Sequence, residues 1–432
     1  MERLRQALFF LLLLLLPTQF GRHFWPDWAK VLGLRVDYLS PTVYLTDVLL
    51  IVLFIFFLPQ FGKSLRTVFQ KTPWRMFIVG VALILVSVGI IRSERPFSGL
   101  YQLAKWGELS LFAFYISRAV MNRSQIRQTV FFLSGGLVLE ASLSLAQFFN
   151  QGSIGGAFWW LGERTFSGQT PGIAQASLNG ELFLRPYGTF PHPNVLAGYL
   201  VIVLVLALWT SRTDLRETIS KGLTVTLGVL ALFSTLSRAA WVVGFFLIAY
   251  RLVTQKKWLP FFLMIFLIIV GSNLILARFQ TLADSGNESR EKRQELNQAA
   301  VEMIKTHPFL GVGLGNFLPQ LPGFHKDKGT VRFLQPAHNV YLMVGAETGL
   351  IGLGLFLGLL FLTIQHLWNR YRLTTRPQNR RVKQFYFSIL LSFSAILFLA
   401  FFDHYFYTLQ QGQLLLALIT GFAWTNIYIH EP

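Results

Sequence analysis

Long apolar runs separated by short polar segments dominate the chain, and most are about the length of a transmembrane helix. The runs fall at about residues 6–20, 41–58, 76–91, 99–117, 128–148, 194–210, 222–237, 239–253, 258–276, 340–368, 385–402 and 410–427. A helix needs about 20 mainly apolar residues to cross a bilayer, and it satisfies its own backbone polar groups there. The pattern therefore predicts an all-α polytopic membrane protein with about 12 transmembrane helices.

Two polar segments are long enough to carry structure outside the membrane. We expect one membrane domain over residues 1–432, an outer loop at 149–193 and a large outer loop at 277–337. Ser285-x-x-Glu288 resembles a capping box, which marks a helix start. Apolar residues then recur at helical spacing before His307-Pro308, namely Leu296, Ala299, Ala300 and Met303. The large loop is thus predicted to be partly helical.

The first apolar run resembles a signal peptide, because basic residues precede an uninterrupted leucine-rich stretch. No small-residue cleavage site follows it, and Thr18 to Arg22 is a poor substitute. We therefore expect a retained first helix.

The net charge of +18 suggests nucleic-acid binding at first sight, but its distribution favours another explanation. With both termini placed in the cytoplasm, the inner segments hold 21 Lys and Arg residues and the short outer segments hold eight. This asymmetry is the positive-inside pattern of membrane proteins. We expect a multi-pass protein of the cytoplasmic (inner) membrane, with the lipid bilayer and no nucleic acid as partner. The chain has no cysteine, which excludes disulfides and thiolate chemistry.

The segment from Pro336 to Gly358 joins the large outer loop to an apolar helix. A helix from His338 to Trp368 would span roughly 46 Å, more than the roughly 30 Å of a hydrocarbon core. The helix must therefore project from the membrane or break near Gly349 and Gly352, and His338 lies near the membrane surface. Small-residue pairs at Gly345-x-x-x-Gly349 and Gly354-x-x-x-Gly358 would allow close helix contact.

Basic side chains accompany His338 on the predicted outer face. Arg238 lies in a tight turn between two apolar runs, and Arg290 and Arg293 share the start of the loop helix. Arginine binds phosphate groups through paired hydrogen bonds, whereas histidine transfers protons near neutral pH. A pyrophosphate-linked substrate with a hydroxyl to be activated would use both. Asp403-His404 could contact such a substrate or simply anchor the membrane interface.

Acidic and basic residues inside the apolar runs favour structural roles. Lys105 and Glu108 are three residues apart and should pair with each other, and Glu140 should accept a structural hydrogen bond. The outer histidines lack tight ligand spacing, so we expect no catalytic metal and no cofactor. The glycines at 311, 313 and 315 do not favour a dinucleotide loop, because no strand precedes them and no helix clearly follows.

Four motifs resemble those of the bacterial O-antigen ligase and Wzy-type polysaccharide polymerase superfamily. They are His338-Asn339-x9-Gly349-x2-Gly352, the run from Ala299 to Phe317 with His307-Pro308-x-x-Gly311-x-Gly313-x-Gly315, the segment Tyr187-Gly188-Thr189-Phe190 with Pro193-Asn194, and the pair Ser237-Arg238. The resemblance covers about residues 180–370. Arg185 and Asn194 support the motif that begins at Tyr187. Asn339, Gly349 and Gly352 support the motif that begins at His338.

The resemblance implies a metal-independent, inverting glycosyltransferase on a GT-C-like helical scaffold, active on the outer, periplasmic face. The donor would be a polyprenyl-pyrophosphate-linked glycan, and the acceptor a glycan or a lipid core. His338 would be the catalytic residue that takes the acceptor proton, and Arg238 would bind pyrophosphate. The family's loop arginine best matches Arg293, but Asn297 replaces the tryptophan that usually follows it, which leaves Arg290 and Arg293 unseparated.

Two other classes of function fit part of the sequence. A transporter or flippase of lipid-linked glycans would often show repeated halves and helices broken at the bilayer midplane, and no repeat is evident. A non-catalytic scaffold would tolerate the loss of His338. Among enzymes, the sequence leaves polymerase and ligase equally open.

Overall fold

A computed structural model of the chain describes residues 2–118, 123–178, 181–209, 215–270, 272–280, 288–324, 334–374, 379–425 and 427. The helices are α1 Glu2–Leu15, α2 Leu45–Lys71, α3 Pro73–Arg92, α4 Pro96–Arg118, α5 Arg123–Asn150, α6 Pro193–Trp209, α7 Leu215–Ser234, α8 Arg238–Thr254, α9 Trp258–Val270, α10 Ser272–Gln280, α11 Glu288–Thr306, α12 Phe317–Phe324, α13 Val340–Leu373, α14 Arg380–Leu399, α15 Tyr405–Thr408 and α16 Gln410–Ala423. The fold is mostly helical, as the apolar pattern predicts.

Short strands occur only in connecting segments of the described chain. They are β1 Gly21–His23, β2 Lys30–Val31, β3 Leu34–Arg35, β4 Thr42–Tyr44, β5 Gln175–Leu178 and β6 Glu181–Leu184. They form three antiparallel pairs, β1 with β4, β2 with β3 and β5 with β6. The last pair belongs to the loop predicted at 149–193, and it contacts α10.

Every predicted apolar run falls on a helix, yet the helices differ in length and apolarity. Within the described residues, α2, α5, α13 and α14 are long and apolar enough to cross a membrane by length and composition. Shorter apolar helices lie within α3, α6 and α7. These observations agree with an all-α membrane protein, and the number of 12 spans stays a prediction.

The core is formed by helices distant in sequence. Helix α6 packs against α5, α7, α8, α14 and α16, while α4 packs along α16. Tyr199 of α6 and Phe393 of α14 are almost completely buried. Helix α1 packs against α2 and α5 with Leu12 and Leu13 buried, and the retention of this first helix stays a prediction.

The predicted break in the long helix is confirmed at Gly349, and it joins α13 to the glycine-rich turn. Gly349 has φ 67° and ψ −174°, a non-helical conformation that favours glycine. A Cβ at this position would lie 2.3 Å from the backbone carbonyl of Phe309. The break lets the carbonyls of Ala346 and Glu347 accept hydrogen bonds from Val312 N at 2.9 Å and Gly313 N at 3.0 Å.

Two details of the predicted packing are wrong. Gly354 and Gly358 were expected to allow close helix contact, but a Cβ built on either meets nothing within 4 Å.

The sequence showed no clear helix after the glycine-rich turn, yet α12 begins there at Phe317. The backbone N–H of Phe317 donates to the Glu347 carboxylate at 3.3 Å. This contact explains the local helix, since a carboxylate stabilises free N–H groups at a helix start.

Other predictions of local structure are confirmed. Helix α11 buries Leu296, Ala299, Ala300 and Met303, whereas the predicted capping residue Ser285 lies outside the described residues. Lys105 Nζ lies 2.9 Å from Glu108 and also 2.9 Å from Asp47 of α2. Glu140 accepts hydrogen bonds from the hydroxyl and the backbone N–H of Thr189, which holds the turn at Gly188.

Candidate active site

Asp403 is the centre of a polar cluster built from three distant parts of the chain. It lies in the turn between α14 and α15 and is 7% exposed. Its Oδ1 atom accepts the backbone N–H of His404 at 2.9 Å and lies 3.3 Å from His338 Nδ1. Its Oδ2 atom accepts the side-chain amide of Asn194 at 2.8 Å. The carboxylate therefore connects the start of α13, the start of α6 and the end of α14.

Asn194 extends this cluster to a buried arginine. Its Oδ1 atom accepts Arg185 Nη2 at 2.7 Å, and Arg185 Nε donates to the carbonyl of Thr235 at 2.7 Å. The structure thus brings together Arg185 and Asn194, the two residues that support the motif beginning at Tyr187. The Asn194 amide has one fixed orientation, because one end must donate to a carboxylate while the other accepts from a guanidinium.

His338 stands immediately before α13, and its ring centroid lies 5.0 Å from that of His404. Asn339 caps the helix by accepting the backbone N–H of Leu342 at 3.0 Å, and Val340 N donates to Ala400 O at 2.8 Å. These contacts fix the backbone on the C-terminal side of the histidine. Its side chain remains 12% exposed, with Nδ1 towards Asp403. A proton on Nδ1 leaves Nε2 free to accept another.

Four arginines lie close enough for their charges to act on one another, and we call them the arginine cluster: Arg185, Arg238, Arg278 and Arg293. The tight turn between α7 and α8 holds two of them, because Arg185 donates to Thr235 O and Arg278 Nε donates to Leu236 O at 3.1 Å. Leu236 itself has φ 51°, which directs its carbonyl out of the helix path. Arg238 is the first residue of α8 and donates to Arg278 O at 3.3 Å.

The charges in the cluster act on one another. Burial, and then repulsion from Arg278, Arg293 and Arg238, together lower the pKa of Arg185 to about 9. Such concentrated positive charge is a favourable site for a polyanion such as a pyrophosphate.

The structure separates the two candidate arginines of α11. Arg290 is exposed, whereas Arg293 is half-buried. The charge of Arg293 affects the pKa of Asp403, His404 and His192 in the polar cluster. Arg293 therefore faces the site, and Arg290 lies one turn away on a surface position.

The two histidines beside His338 remain neutral. Burial lowers the pKa of His404 to about 3, and its Nδ1 lies 2.6 Å from the Thr408 hydroxyl. Burial and then the charge of Arg185 hold the pKa of His192 well below its ordinary value. For Asp403, burial alone would raise the pKa, but His338, His404 and Arg293 outweigh burial and hold it well below the ordinary value. The site therefore keeps one carboxylate ionised beside His338.

The same residues offer a possible set of metal ligands. One ligand atom from each of His338, Asp403 and His404 lies within 4.8 Å of the others. Two histidines and a carboxylate suit several divalent metals, although the positive charge of Arg293 opposes a further cation. The expectation of no catalytic metal stays a prediction.

Sequence reasoning missed Arg278 and left Asp403 undecided. Arg278 was not selected because it follows an apolar run and belongs to no recognised motif. Asp403-His404 was noted only as a polar pair at the end of an apolar run. The sequence signal at this position is an acidic residue followed by a histidine, and it does not separate a site residue from an interface anchor.

The comparison with known families bears directly on these residues. Residues 223–357 match the family model described as O-Antigen ligase. This match confirms the resemblance to the O-antigen ligase and Wzy-type polymerase superfamily. The matched segment includes Arg238, Arg278, Arg293 and His338, whereas Arg185, Asn194 and Asp403 lie outside it. No curated protein matches the chain.

Proposed function

We propose that the protein is a metal-independent, inverting glycosyltransferase that moves a polyprenyl-pyrophosphate-linked glycan to an acceptor hydroxyl. The observation that carries this proposal is the chain of contacts that joins His338 through Asp403 and Asn194 to Arg185 of the arginine cluster. The match to the O-antigen ligase family, which is a family of glycosyl-transferring membrane enzymes, supports the same reaction class. We place the reaction on the outer, periplasmic face of the cytoplasmic membrane, with both termini in the cytoplasm.

His338 acts as the general base. Its Nε2 atom removes the proton from the acceptor hydroxyl as that oxygen attacks the anomeric carbon of the donor sugar. The bond between this carbon and the pyrophosphate oxygen breaks, and the polyprenyl pyrophosphate leaves with the bonding electrons. Asp403 stabilises the imidazolium that forms, as a carboxylate does in other pairs of this kind.

The arginine cluster stabilises the leaving group. The pyrophosphate gains negative charge as the glycosidic bond breaks, and fixed cations favour that change more than they favour the ground state. Arg238, Arg278 and Arg293 are the groups that we assign to pyrophosphate binding. Arg185 is buried behind them, and we assign it a positioning role through Asn194.

Helices α6, α13 and α14 hold the site residues in place, within a GT-C-like arrangement of about 12 transmembrane spans. The break at Gly349 and the capped start at Asn339 hold His338 at a fixed position immediately before α13. A rigid base of this type is expected when a hydroxyl must be aligned with a single carbon atom.

The test is glycan transfer by the purified protein in vesicles that contain polyprenyl-pyrophosphate oligosaccharide. Donor alone should give a ladder of longer chains if the protein is a polymerase. An added lipid or glycan acceptor should give a single transfer product if it is a ligase. Absence of product over several donors, together with movement of the lipid-linked glycan between leaflets, would replace this proposal with the flippase.

A further inference from the structure

Asn297 of α11 carries a buried polar atom that the packing of the described chain does not satisfy. Its Oδ1 atom is buried and accepts no hydrogen bond from any described residue. The rest of the side chain is only partly buried. A buried acceptor without a donor is costly, and native proteins rarely keep one unless water or a ligand completes it. The amide oxygen is therefore a candidate contact for a ligand.

Asn297 shares the inward face of α11 with Arg293. The two residues are four apart, which places them within about 40° of each other around the helix and about 6 Å apart along it. The charge of Arg293 helps to lower the pKa of Asp403 and of His404. This face of α11 is therefore turned towards the polar cluster.

The packing of α11 against α13 gives the relative direction of the two helices. A Cβ built on Gly345 would lie 2.9 Å from Cδ1 of Ile304. A Cβ built on Gly349 would lie 2.3 Å from the carbonyl of Phe309, in the turn that follows α11. The contacts advance in the same sense along both segments, so α11 and α13 run parallel where they pack.

This packing places Asn297 and His338 at similar heights. Asn297 precedes Ile304 by seven residues, and His338 precedes Gly345 by seven residues. Because Ile304 and Gly345 are in contact and the segments run parallel, equal steps back along each lead to the same level. Asn297 therefore lies level with the proposed base.

The proposed reaction indicates which substrate group lies beside Asn297. We assign Arg293 to the pyrophosphate and His338 to the acceptor hydroxyl. The first sugar of the donor joins the pyrophosphate to the carbon that this hydroxyl attacks, so it must lie between these two residues. The separation of Arg293 and Asn297 along α11 is close to the size of one sugar ring. A sugar hydroxyl or the N–H of an acetamido group can donate to an amide oxygen.

We propose that Asn297 Oδ1 accepts a hydrogen bond from the first sugar of the donor and thereby selects which sugar the protein accepts. This inference rests on the proposed function, and it adds a specificity-determining contact. A donor whose first sugar lacks the donating group leaves the buried oxygen unpaired. Sites built in this way reject such an analogue strongly.

Equilibrium binding tests the contact without requiring turnover. The full chain in lipid nanodiscs would be titrated with polyprenyl-pyrophosphate glucose, galactose, N-acetylglucosamine and N-acetylgalactosamine. Analogues of the tightest binder would then each lack one hydroxyl or the acetamido group. We expect one analogue to bind wild type roughly tenfold more weakly than its parent. Asn297→Ala should bind this parent roughly tenfold more weakly than wild type does, and should no longer distinguish the analogue from the parent.

Gln298→Ala is the matched control, because it removes a side-chain amide from the next, exposed position of α11. It should keep the wild-type preference. The Tm of Asn297→Ala should be no lower than that of Gln298→Ala, since no described residue bonds to the amide oxygen. A Tm several degrees lower would show that Asn297 serves the fold, and would overturn the proposal.

The pattern of preference decides the remaining outcomes. Equal weakening of all analogues in Asn297→Ala would overturn the proposal, as would an unchanged preference. A lost preference among acceptors instead of donors would assign Asn297 to the acceptor and overturn it too.

The outcome for Asn297 can be separated from that for the proposed function. A preference that depends on Asn297 in a protein that transfers no glycan would refute the transferase while the contact stands. Glycan transfer with a donor preference that Asn297→Ala preserves would refute the contact and leave the transferase intact. Wild type that binds no donor and transfers no glycan would refute both.

Discussion

Asn194 and Asp403 are joined by a hydrogen bond of 2.8 Å, although 209 residues separate them in the chain. The bond connects the start of α6 to the turn after α14, and the other end of the same amide accepts Arg185. Through Asp403, this contact reaches the Nδ1 atom of His338. A loop arginine and the histidine that we propose as the catalytic base are therefore joined by one continuous set of polar contacts.

Asn194→Asp should disable the site while preserving its shape. The new carboxylate can still accept Arg185, but it places a negative charge directly against the ionised Asp403. Repulsion should move Asp403 away from His338 and reduce kcat roughly 100-fold, within the range of general-base catalysis. Steady-state transfer kinetics would measure this effect. An unchanged kcat in a well-folded Asn194→Asp protein would show that Asp403 does not depend on the amide.

Arg293→Ala and Arg290→Ala form a matched pair on one helix. Arg293 faces the polar cluster, so its loss should lower kcat/KM for the donor roughly 10- to 100-fold, as expected for one charge-assisted hydrogen bond. Arg290 is exposed, and its replacement should change kcat/KM by less than about threefold. Donor titration in the transfer assay would compare them. A larger loss of kcat/KM in Arg290→Ala than in Arg293→Ala would instead identify Arg290 as the family's loop arginine.

Gly349→Ala should destabilise the protein strongly. The positive φ angle disfavours a side chain, and the new methyl group would lie 2.3 Å from the carbonyl of Phe309. We expect a loss of at least about 2–3 kcal/mol in the free energy of unfolding. Gly358→Ala on the same helix meets open space and should be neutral or slightly stabilising. Thermal denaturation in detergent would measure both, and equal Tm values would contradict the strained break.

The buried His404 predicts a pH dependence of stability. Its pKa is about 3 in the folded protein, against an ordinary value of 6.5. Protonation is therefore favoured in the unfolded chain, and stability that is complete above pH 6.5 is lost as the pH falls towards 3. The loss should be about 2 kcal/mol at pH 5 relative to pH 8.

His404→Gln should flatten this profile. The amide does not titrate, although His192, whose pKa is also lowered, should keep part of the slope. Asp403 contributes no slope above pH 5, because its lowered pKa keeps it ionised there. Scanning fluorimetry of Tm at pH 8, 6.5 and 5 would compare the variant with wild type. Identical profiles would contradict the assignment of a neutral, buried His404.

Sequence patterns predicted the features that depend on neighbours close along the chain. The length of the apolar run after His338 predicted either a projection from the membrane or a break near Gly349 and Gly352, and the structure has the break. The spacing of Leu296, Ala299, Ala300 and Met303 predicted α11, because those residues define one face of one helix. The turn before Arg238 likewise followed from two adjacent apolar runs.

The contacts that complete the site depend on residues far apart, and patterns could not predict them. Asp403 has its role only because α6, α13 and α14 meet, which no local spacing encodes. Arg290 and Arg293 look alike in sequence, since a three-residue separation places both near one side of a helix. Only the packing of α11 against α13 shows which of them turns inwards.

The most direct test of the account is glycan transfer by His338→Ala. The variant would be compared with wild type and with His23→Ala, an exposed histidine outside the polar cluster. Equal insertion of all three proteins would be verified by immunoblot. We predict that transfer falls roughly 10²- to 10⁴-fold in His338→Ala, the usual contribution of a general base, and stays near wild type in His23→Ala. Transfer by His338→Ala at the wild-type rate would show that His338 is not the base.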